Sequence, residues 1–409
     1  MEREQASKLV KDLLRQMIIS GASDMFITAE FPPALKIDGK IRTVSESPLT
    51  PEQANLVVRT LMNDKQLKEF DATNECNFAI SLANVATRGG DKVHGRYRVS
   101  AFVQQGNAGC VVRTINTRIP TFEEMDLPSQ LRDVVMTKRG LVLVVGGTGS
   151  GKSTSLAAMI GHRNQHTRGH IITIEDPIEF VHPHHGCVIT QREVGVDTDN
   201  WHTALKNTLR QAPDVILIGE IRDQETMQYA VQFAETGHLC LATLHANNAN
   251  QALDRIVNFF PEERRPQLLM DLSLNVRALI SQRLLTREQG NGRVAAMEIM
   301  TTSPLIADLI HRGEFHKIKE VMAKSNRLGM MTFDQSLFML YEAGFVSEAE
   351  AMRNADSKNE LRLRIKLESQ RARDNDSAEA DKLRILEPDS KGVSGLARGA
   401  GGHQEGRGE

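Results

Sequence analysis

Residues 141–154 read Leu-Val-Leu-Val-Val-Gly-Gly-Thr-Gly-Ser-Gly-Lys-Ser-Thr, and this stretch decides the fold class. Its first five residues are all apolar, which is typical of a buried strand. Residues 146–153 match the pattern Gly-x-x-x-x-Gly-Lys-Ser/Thr, and a helix is predicted to follow. A glycine-rich loop in this position can wrap its backbone N–H groups around a phosphate, and the start of the helix adds positive partial charge. The predicted phosphate-binding residues are Gly146, Gly147, Thr148, Gly149, Ser150, Gly151, Lys152, Ser153 and Thr154.

Two side chains of this loop have the chemistry expected of a nucleoside triphosphate site. The Lys152 ammonium is predicted to contact the β- and γ-phosphate oxygens, and the Ser153 hydroxyl is predicted to ligate Mg²⁺. We therefore expect ATP and Mg²⁺ as cofactors. The alternative is a glycine-rich turn that binds nothing, and the complete match between a strand and a helix disfavours it.

Four apolar stretches alternate with helical patterns, which predicts a parallel α/β sheet. They are residues 141–145, 171–175, 215–219 and 239–243. Glu220 directly follows one of these strands, so it should lie at the carboxyl edge of the sheet, where such sheets bind ligands. Because Gly219 stands where many phosphate-loop enzymes have an aspartate, we expect Glu220 to act on Mg²⁺ through water.

Other polar residues also border these strands. Glu175, Asp176 and Glu179 follow a second strand, where they could polarise a water or position a cation. The alternative for either acidic group is a solvated loop. His238 and His245 flank the stretch at 239–243, and their positions alone favour hydrogen-bonded structural histidines.

The apolar pattern and the breakers divide the chain into five parts. Short strands and helices precede the phosphate loop, and a stretch with two prolines and no periodicity predicts a hinge. After residue 261 the chain is predicted to be helical to about residue 344. The predicted parts are 1–115, an α+β domain; 116–128, a linker and hinge; 129–345, an ATPase domain with C-terminal helices; 346–369, a C-terminal extension of helix or strand; and 370–409, a disordered tail.

Within the extension, large aliphatic residues alternate with basic ones between residues 361 and 367. This period of two predicts a short, half-buried strand. Two interpretations stay open: an edge strand whose charges discourage aggregation, or a docking element for a partner motor or an acidic platform protein. The glycine-rich residues 392–409 include few large aliphatics, which predicts disorder.

The composition is that of a globular protein and excludes several classes. The 409 residues are 40% hydrophobic and 25% charged, with a net charge of −2. This balance argues against direct nucleic-acid binding, because domains that bind nucleic acids usually carry a basic excess. No stretch approaches the ~20 apolar residues of a membrane span, so we expect membrane contact only through partners. Four separated cysteines without a Cys-x-x-Cys pair disfavour a disulfide framework and a zinc ribbon, and suit a reducing cytosol.

The assembled motifs resemble those of the secretion and type IV pilus motor ATPases, specifically the retraction type known as PilT/PilU. The stretches similar to the family's motifs are 146–154 (Walker A), 172–180 (Asp box), 214–223 (Walker B) and 235–245 (His box). Further similar stretches are 22–24, 32–39, 96–99 and 112–114 in the N-terminal domain, and 280–284, which matches a late helix. The resemblance covers roughly residues 5–345 and implies a RecA-like P-loop ATPase domain preceded by a PAS-like α+β domain.

Two departures from the family patterns narrow the resemblance. Extension motors usually carry a tetracysteine zinc site, and this chain has no cysteine pairs. Residues 305–312 differ from the usual PilT-type helix, and the chain continues well beyond residue 360. Both of these last features favour the PilU side of the group.

The resemblance also implies roles for individual residues. Glu179 would be the general base for the attacking water, and Glu220 would act on Mg²⁺ and that water. His238 and His245 would sense the γ-phosphate and couple it to domain movement. Three arginines would reach the phosphates from the N-terminal domain, although residue type alone also fits a strand with solvated charges. These are Arg96, Arg98 and Arg113.

The implied function is a homohexameric motor that couples ATP hydrolysis to type IV pilus retraction and twitching motility, as a PilU-type accessory motor. Its expected place is cytoplasmic, peripheral to the inner membrane at the pilus base. The implied partners are a paralogous retraction motor and an inner-membrane platform protein. The alternatives are a related motor for pilus extension, type II secretion or DNA uptake, or a regulatory subunit that does not hydrolyse ATP.

Overall fold

We describe the chain from a computed structural model that covers residues 2–37, 39–86, 92–115, 118–289 and 292–373. The described residues form two sheets, each with its own apolar core. The first sheet lies in the N-terminal domain and the second contains the phosphate loop. No helix in these ranges is long and apolar enough to cross a membrane.

The N-terminal domain is a six-stranded antiparallel sheet packed against helices, as the α+β prediction requires. Its elements are α1 (Arg3–Ser20), β1 (Asp24–Ile27), β2 (Ala34–Ile37), β3 (Lys40–Thr43), α2 (Pro51–Thr60), α3 (Asp64–Thr73), β4 (Glu75–Ala86), β5 (Lys92–Gln104) and β6 (Asn107–Ile115). The strand order is β3-β2-β1-β6-β5-β4. Helix α1 buries an apolar stripe that includes Leu13 and Met17, and it ends at Gly21 in the left-handed conformation.

The second domain is a RecA-like α/β sheet of seven strands. Its elements are α4 (Gln130–Met136), β7 (Gly140–Val145), α5 (Lys152–His166), β8 (Gly169–Glu175), β9 (Cys187–Glu193), α6 (Trp201–Thr208), β10 (Val215–Ile218), α7 (Gln224–Glu235), β11 (Leu239–Leu244), α8 (Ala249–Asn258), α9 (Arg265–Asn275), β12 (Val276–Thr286) and β13 (Arg293–Thr301). The order is β13-β12-β7-β11-β10-β8-β9, and only β13 runs antiparallel to its neighbour. The four predicted strands are confirmed as β7, β8, β10 and β11.

The prediction of continuous helix after residue 261 is wrong between residues 276 and 301, which form β12 and β13. Residues 280–284, which the resemblance placed on a helix, lie in β12. Strand β12 pairs with β7 in the middle of the domain, and Ala278, Leu279 and Ile280 are all buried. Residues 278–282 of β12 are all buried, so both faces of the strand are covered and its apolar residues do not alternate with polar ones. Without that alternation the sequence does not distinguish this strand from a helix.

Helices follow the second sheet. They are α10 (Pro304–His311), α11 (Ile318–Lys324), α12 (Phe333–Glu342), α13 (Glu348–Asn354) and α14 (Lys358–Glu368). The predicted strand at 361–367 is therefore wrong. Leu361 and Ile365, four residues apart, are buried against α12, while Leu363 and Leu367 are exposed. When aliphatic residues occupy every second position, some of them are also four residues apart, and residues at this spacing lie on one face of a helix. The period of two therefore did not exclude a helix.

The predicted boundaries of the hinge and the tail also shift. In residues 118–128, Phe122 and Leu127 are buried in the core of the second domain, so this part of the predicted hinge is packed against it. Residues 116 and 117 lie outside the described residues. At the tail, the Arg371 guanidinium donates to the carbonyls of Tyr341 and Val346, so the packed region extends past residue 370. The predicted disorder of 374–409 falls outside the described residues.

Candidate nucleotide site

The phosphate loop connects β7 to α5 and depends on glycine at two positions. A Cβ on Gly146 would lie 2.7 Å from the Gln282 carbonyl oxygen, and Gly151 has a left-handed φ of 85° at the start of α5. The Lys152 ammonium donates to the carbonyls of Gly146 and Gly147, both at 2.9 Å. Burial lowers the pKa of Lys152, while the nearby Glu220 and Glu179 oppose that effect. The loop thus holds a partly buried cation beside two carboxylates.

A cavity of about 410 Å³ opens at this loop. It is lined by residues 148–154, Glu175, Asp176, Pro177, Glu179, Trp201, Gly219, Glu220, Thr243, His245, Leu284 and Arg293. The acidic residues follow β8 and β10, which are hydrogen-bonded neighbours in the sheet. Because parallel strands end at the same edge, the structure brings Glu179, Glu220 and Lys152 into one site.

Glu220 is held from two sides. His245 Nε2 lies 3.1 Å from Glu220 Oε1, and Arg222 Nη2 lies 2.7 Å from Glu220 Oε2. Arg222 also faces Asp176, at 3.7 Å between Nη1 and Oδ2. These contacts fix the position of the Glu220 carboxylate and connect the ends of three neighbouring strands.

Glu175 differs from the other acids of the cavity in its hydrogen bonding and burial. Its Oε1 accepts hydrogen bonds from Thr173 Oγ1 at 2.6 Å and Gln191 Nε2 at 3.2 Å. Burial raises the pKa of Glu175 to about 7, although both hydrogen bonds lower it. Glu179, in contrast, is exposed at the mouth of the same cavity. A carboxylate exposed to water is better placed to meet an incoming water molecule than one held by two donors.

The absence of an aspartate before Glu220 has a packing reason. A Cβ on Gly219 would lie 3.1 Å from both Glu175 Cα and the Ile174 carbonyl oxygen. The backbone of β8 therefore leaves little room for a larger residue at this position. Oxygen groups suited to Mg²⁺ remain in the cavity, namely the Ser153 hydroxyl and the Glu220 carboxylate. Among the residues the structure describes, no three His, Cys, Asp or Glu side chains are arranged as a metal cage, and Mg²⁺ bound by phosphates needs few protein ligands.

The two predicted histidines lie at opposite ends of β11. His245 reaches the cavity, but His238 precedes the strand, and its Nδ1 lies 3.0 Å from Thr236 Oγ1 and 3.2 Å from the Phe233 carbonyl oxygen. Six strand residues separate the two edges, about 20 Å of extended chain. The role of His238 as a γ-phosphate sensor stays a prediction, and within one chain this residue lies at the edge of the sheet opposite to the phosphate loop.

The three predicted arginines do not line the cavity. Arg113 Nε donates to Asp24 Oδ1 at 2.8 Å, within the N-terminal domain. Arg96 Nη2 lies 3.9 Å from Glu193 Oε2 of the second domain, and Arg98 lies two residues further along β5. Any contact between these arginines and phosphates thus requires a movement of the N-terminal domain.

Sequence reasoning assigned no role to several residues of the site. Arg222 stands two residues after Glu220 in the Walker B stretch at 214–223. This short spacing is the sequence signal from which its ion pair with Glu220 could have been predicted. Trp201, Leu284 and Arg293 come from segments distant in the sequence. Leu284 and Arg293 belong to β12 and β13, and the failure to predict these strands hid their approach to the loop.

Residues 1–343 match the profile of the family described as type II/IV secretion system protein. The chain belongs to this family. It is 55% identical over 358 residues to the type IV pilus ATPase PilU of Pseudomonas aeruginosa, covering 88% of this chain and 91% of the relative. It is 41% identical over 346 residues to the retraction ATPase PilT of the same organism, covering 85% and 98%. These relatives identify the chain as a pilus ATPase of the PilT/PilU type within the type II/IV secretion family.

Solved structures agree with this family assignment. The pilus retraction motor PilT with bound ADP matches with a TM-score of 0.78 and 37% identity, covering 86% of this chain and 98% of that one. The ATPase DotB of Legionella pneumophila matches with a TM-score of 0.71 and 25% identity, covering 84% and 93%. The RecA-like domain with an N-terminal domain, expected from the resemblance, is thereby confirmed.

Proposed function

We propose that this chain hydrolyses ATP at residues 146–154 and uses the energy for type IV pilus retraction, as an accessory motor beside a paralogous one. The observation that carries the proposal is the convergence of Lys152, Glu179 and Glu220 on one cavity. The names of its relatives, a pilus ATPase and a retraction ATPase, support the direction of work. The same convergence favours an active motor over a regulatory subunit without turnover.

The residues of the cavity divide the work of hydrolysis between them. Phosphoryl transfer needs little covalent help from the protein, so positioning and charge stabilisation dominate. The Lys152 ammonium exchanges the carbonyls of Gly146 and Gly147 for phosphate oxygens and offsets their charge. The exposed Glu179 accepts the proton of the attacking water. Glu220, held by Arg222 and His245, orients that water.

A Mg²⁺ ion bound with ATP would neutralise part of the charge that develops on the phosphates. The Ser153 hydroxyl is the protein group that would hold it directly, and Glu220 would do so through water. The crowded backbone at Gly219 leaves little room for an aspartate at that position. Glu220 is therefore the carboxylate at the end of β10 that is available to act on Mg²⁺.

The N-terminal domain supplies the moving part of the mechanism. Arg96, Arg98 and Arg113 lie outside the cavity and would reach the phosphates when the domain closes over the nucleotide. Closure would exclude water and complete the catalytic site.

The assembly we propose is a homohexamer at the cytoplasmic face of the inner membrane, bound to a platform protein of the pilus base. A ring allows each closing domain to push on its neighbour, so that hydrolysis becomes mechanical work. The names of the relatives, a type IV pilus ATPase and a type IV pilus retraction ATPase, support the association with a pilus. Membrane contact would then occur through partners.

The decisive experiment measures steady-state ATP hydrolysis by the purified chain and by Lys152→Ala. Loss of a positioned charge on the transferring group should lower the rate about 100-fold or more. Lys138→Ala, which removes an exposed lysine before β7, is the matched control and should keep the wild-type rate. Wild-type turnover in Lys152→Ala would refute the assigned site. A deletion strain, scored for pilus retraction alone and beside loss of the paralogous motor, then tests the cellular role.

A further inference from the structure

The strand at the edge of the second sheet, β9, ends in a buried carboxylate that the hydrolysis mechanism does not use. This residue is Glu193, which is only 4% exposed. It is paired in register with Glu175 of β8, so it lies at the same edge of the sheet as the nucleotide cavity. Its Oε2 accepts a hydrogen bond at 3.2 Å from the backbone N–H of Ile178, the residue before Glu179. Glu193 therefore supports the segment that carries the proposed general base.

The same carboxylate oxygen faces the N-terminal domain. Arg96 Nη2 of β5 lies 3.9 Å from Glu193 Oε2, and the Arg96 side chain is 22% exposed. The buried Nε of Arg96 has no hydrogen-bond acceptor in the described part of the chain. This guanidinium is thus paired with one carboxylate and keeps an unused donor, which is unusual for a buried polar group. It is positioned to take a further anionic partner.

The charges around Glu193 come from both domains. Burial raises its pKa, whereas the Ile178 N–H and the guanidinium groups of Arg96 and Arg98 lower it. Asp197, four residues further along the chain, raises it again. Loss of either arginine from its surroundings would therefore raise the pKa of Glu193 further.

We propose that Glu193 is a positioning residue that competes with the phosphates of bound ATP for Arg96. In the nucleotide-free chain its carboxylate keeps Arg96 at the domain interface and holds the Ile178–Glu179 segment through one hydrogen bond. Nucleotide binding draws Arg96 away from Glu193 as the N-terminal domain closes. This inference rests on the proposed function, because it requires that ATP binds at the phosphate loop.

The substitution Glu193→Gln separates the two contacts. The amide oxygen still accepts the Ile178 N–H, while the negative charge that attracts Arg96 is gone. Because the competitor for Arg96 is removed, the KM for ATP should fall about 3- to 10-fold, with kcat within about twofold of wild type. In an Arg96→Gln background the same substitution should leave KM unchanged. An unchanged or raised KM in the single variant, or an equal decrease in the Arg96→Gln background, overturns the proposal.

Glu193→Ala tests the second contact. It removes the acceptor of the Ile178 N–H as well as the charge, so kcat should fall about 10-fold or more relative to Glu193→Gln. Glu350→Gln is the matched control, because Glu350 is a half-buried carboxylate that pairs with Arg353 of α13, far along the chain. This control should change neither parameter. Equal kcat values in the alanine and glutamine variants would show that Glu193 does not position Glu179. That result overturns the proposed support of the Ile178–Glu179 segment.

Binding of a fluorescent ATP analogue distinguishes failure of the inference from failure of the proposed function. If the wild-type chain binds the analogue without hydrolysing it, the proposed function fails, and the ratio of Kd values for wild type and Glu193→Gln still tests the competition. A ratio of about 3 to 10 is expected, and a ratio of one overturns the inference. If the wild-type chain does not bind the analogue, both fail. Melting temperatures of all variants identify any that are unfolded.

Discussion

At the scale of single residues, the two carboxylates of the cavity differ in what surrounds them. Glu220 is held by Arg222 and His245, whereas Glu179 is exposed. The first arrangement suits a residue that orients a ligand and the second suits a residue that accepts a proton. Substitution by glutamine keeps the size of each side chain and removes only its basicity and charge.

We predict that Glu220→Gln binds ATP normally but hydrolyses it about 100-fold more slowly, which traps a nucleotide-loaded protein. Glu179→Gln should lose turnover to a similar degree, because an amide is a poor proton acceptor. Binding of a labelled nucleotide together with the rate of phosphate release measures both. If Glu179→Gln releases phosphate at the normal rate, the general base is another residue, with Glu175 or Asp176 as the candidates.

Glu175 should make the stability of the protein depend on pH. Its pKa is raised by burial from 4.5 to about 7, so the native state binds the proton more tightly than the unfolded chain. The stability that protonation provides is complete below pH 4.5 and is lost as the pH rises through about 7. In nucleotide-free protein, the melting temperature of Glu175→Gln relative to wild type should therefore increase between pH 5 and pH 8.

Glu263→Gln is the control for this pH experiment, since it makes the same substitution at an exposed position that does not line the cavity. Its melting temperature relative to wild type should stay constant over the same range. A constant difference for Glu175→Gln as well would show that the Glu175 carboxyl titrates normally in the folded chain.

At the scale of elements, the C-terminal helices end on a specific anchor. Helix α14 buries Leu361 and Ile365 against α12, and Arg371 continues the contact by donating to the carbonyls of Tyr341 and Val346. The Arg371 guanidinium also lies 4.6 Å from the centroid of the Tyr341 ring. Packed residues therefore continue beyond the period-two segment at 361–367, which was predicted to be a strand.

Two truncations three residues apart test this anchor. A chain that ends at Arg373 should keep the wild-type melting temperature and ATPase rate, because every packed contact of Arg371 is retained. A chain that ends at Gln370 loses these hydrogen bonds and should be less stable by about 1 to 3 kcal/mol, seen as a lower melting temperature. Equal melting temperatures would mean that Arg371 contributes nothing. A large loss of hydrolysis in the longer chain would show that residues 374–409 belong to the motor.

At the scale of the whole molecule, the proposed mechanism requires neighbouring subunits. Within one chain, the arginines of the N-terminal domain lie outside the cavity, and His238 lies at the opposite edge of the sheet. The proposed closure of the N-terminal domain over the nucleotide needs a neighbouring subunit on which to exert force. A ring supplies that neighbour.

We predict a homohexamer at micromolar concentration, measured by multi-angle light scattering with and without ATP. Glu220→Gln, which should retain nucleotide, is expected to form the ring at least as readily as wild type. Lys152→Ala tests whether assembly needs bound nucleotide. A folded monomer of this variant is consistent with the proposed hexamer, because it would mean that the ring assembles only once nucleotide is bound. A wild-type chain that stays monomeric in both conditions contradicts the proposed assembly.

The sequence by itself determined the parts of this protein whose signals are local. The phosphate loop is a continuous run of glycines, lysine and serine after an apolar strand, so its type and place could be read directly. The strands β8, β10 and β11 were predicted correctly, because each is a short apolar run. The acids that follow β8 and β10 lie at one edge of the sheet, as the parallel arrangement predicts, and their catalytic roles stay predictions. The N-terminal α+β domain was also correct, since short strands with turn residues are a local pattern.

Only the tertiary structure decided the features that depend on burial and on distance. Strands β12 and β13 read as helix because side chains buried on both faces leave no period, and α14 read as a strand because alternate leucines fit both periods. His238 and His245 belong to one motif that is contiguous in sequence, but β11 puts them at opposite edges of the sheet. The contacts of Arg222 with Asp176 and of Arg96 with Glu193 join segments that are distant in the sequence and meet only in the folded chain. Periodicity reports which face of an element is buried, but packing decides which elements meet.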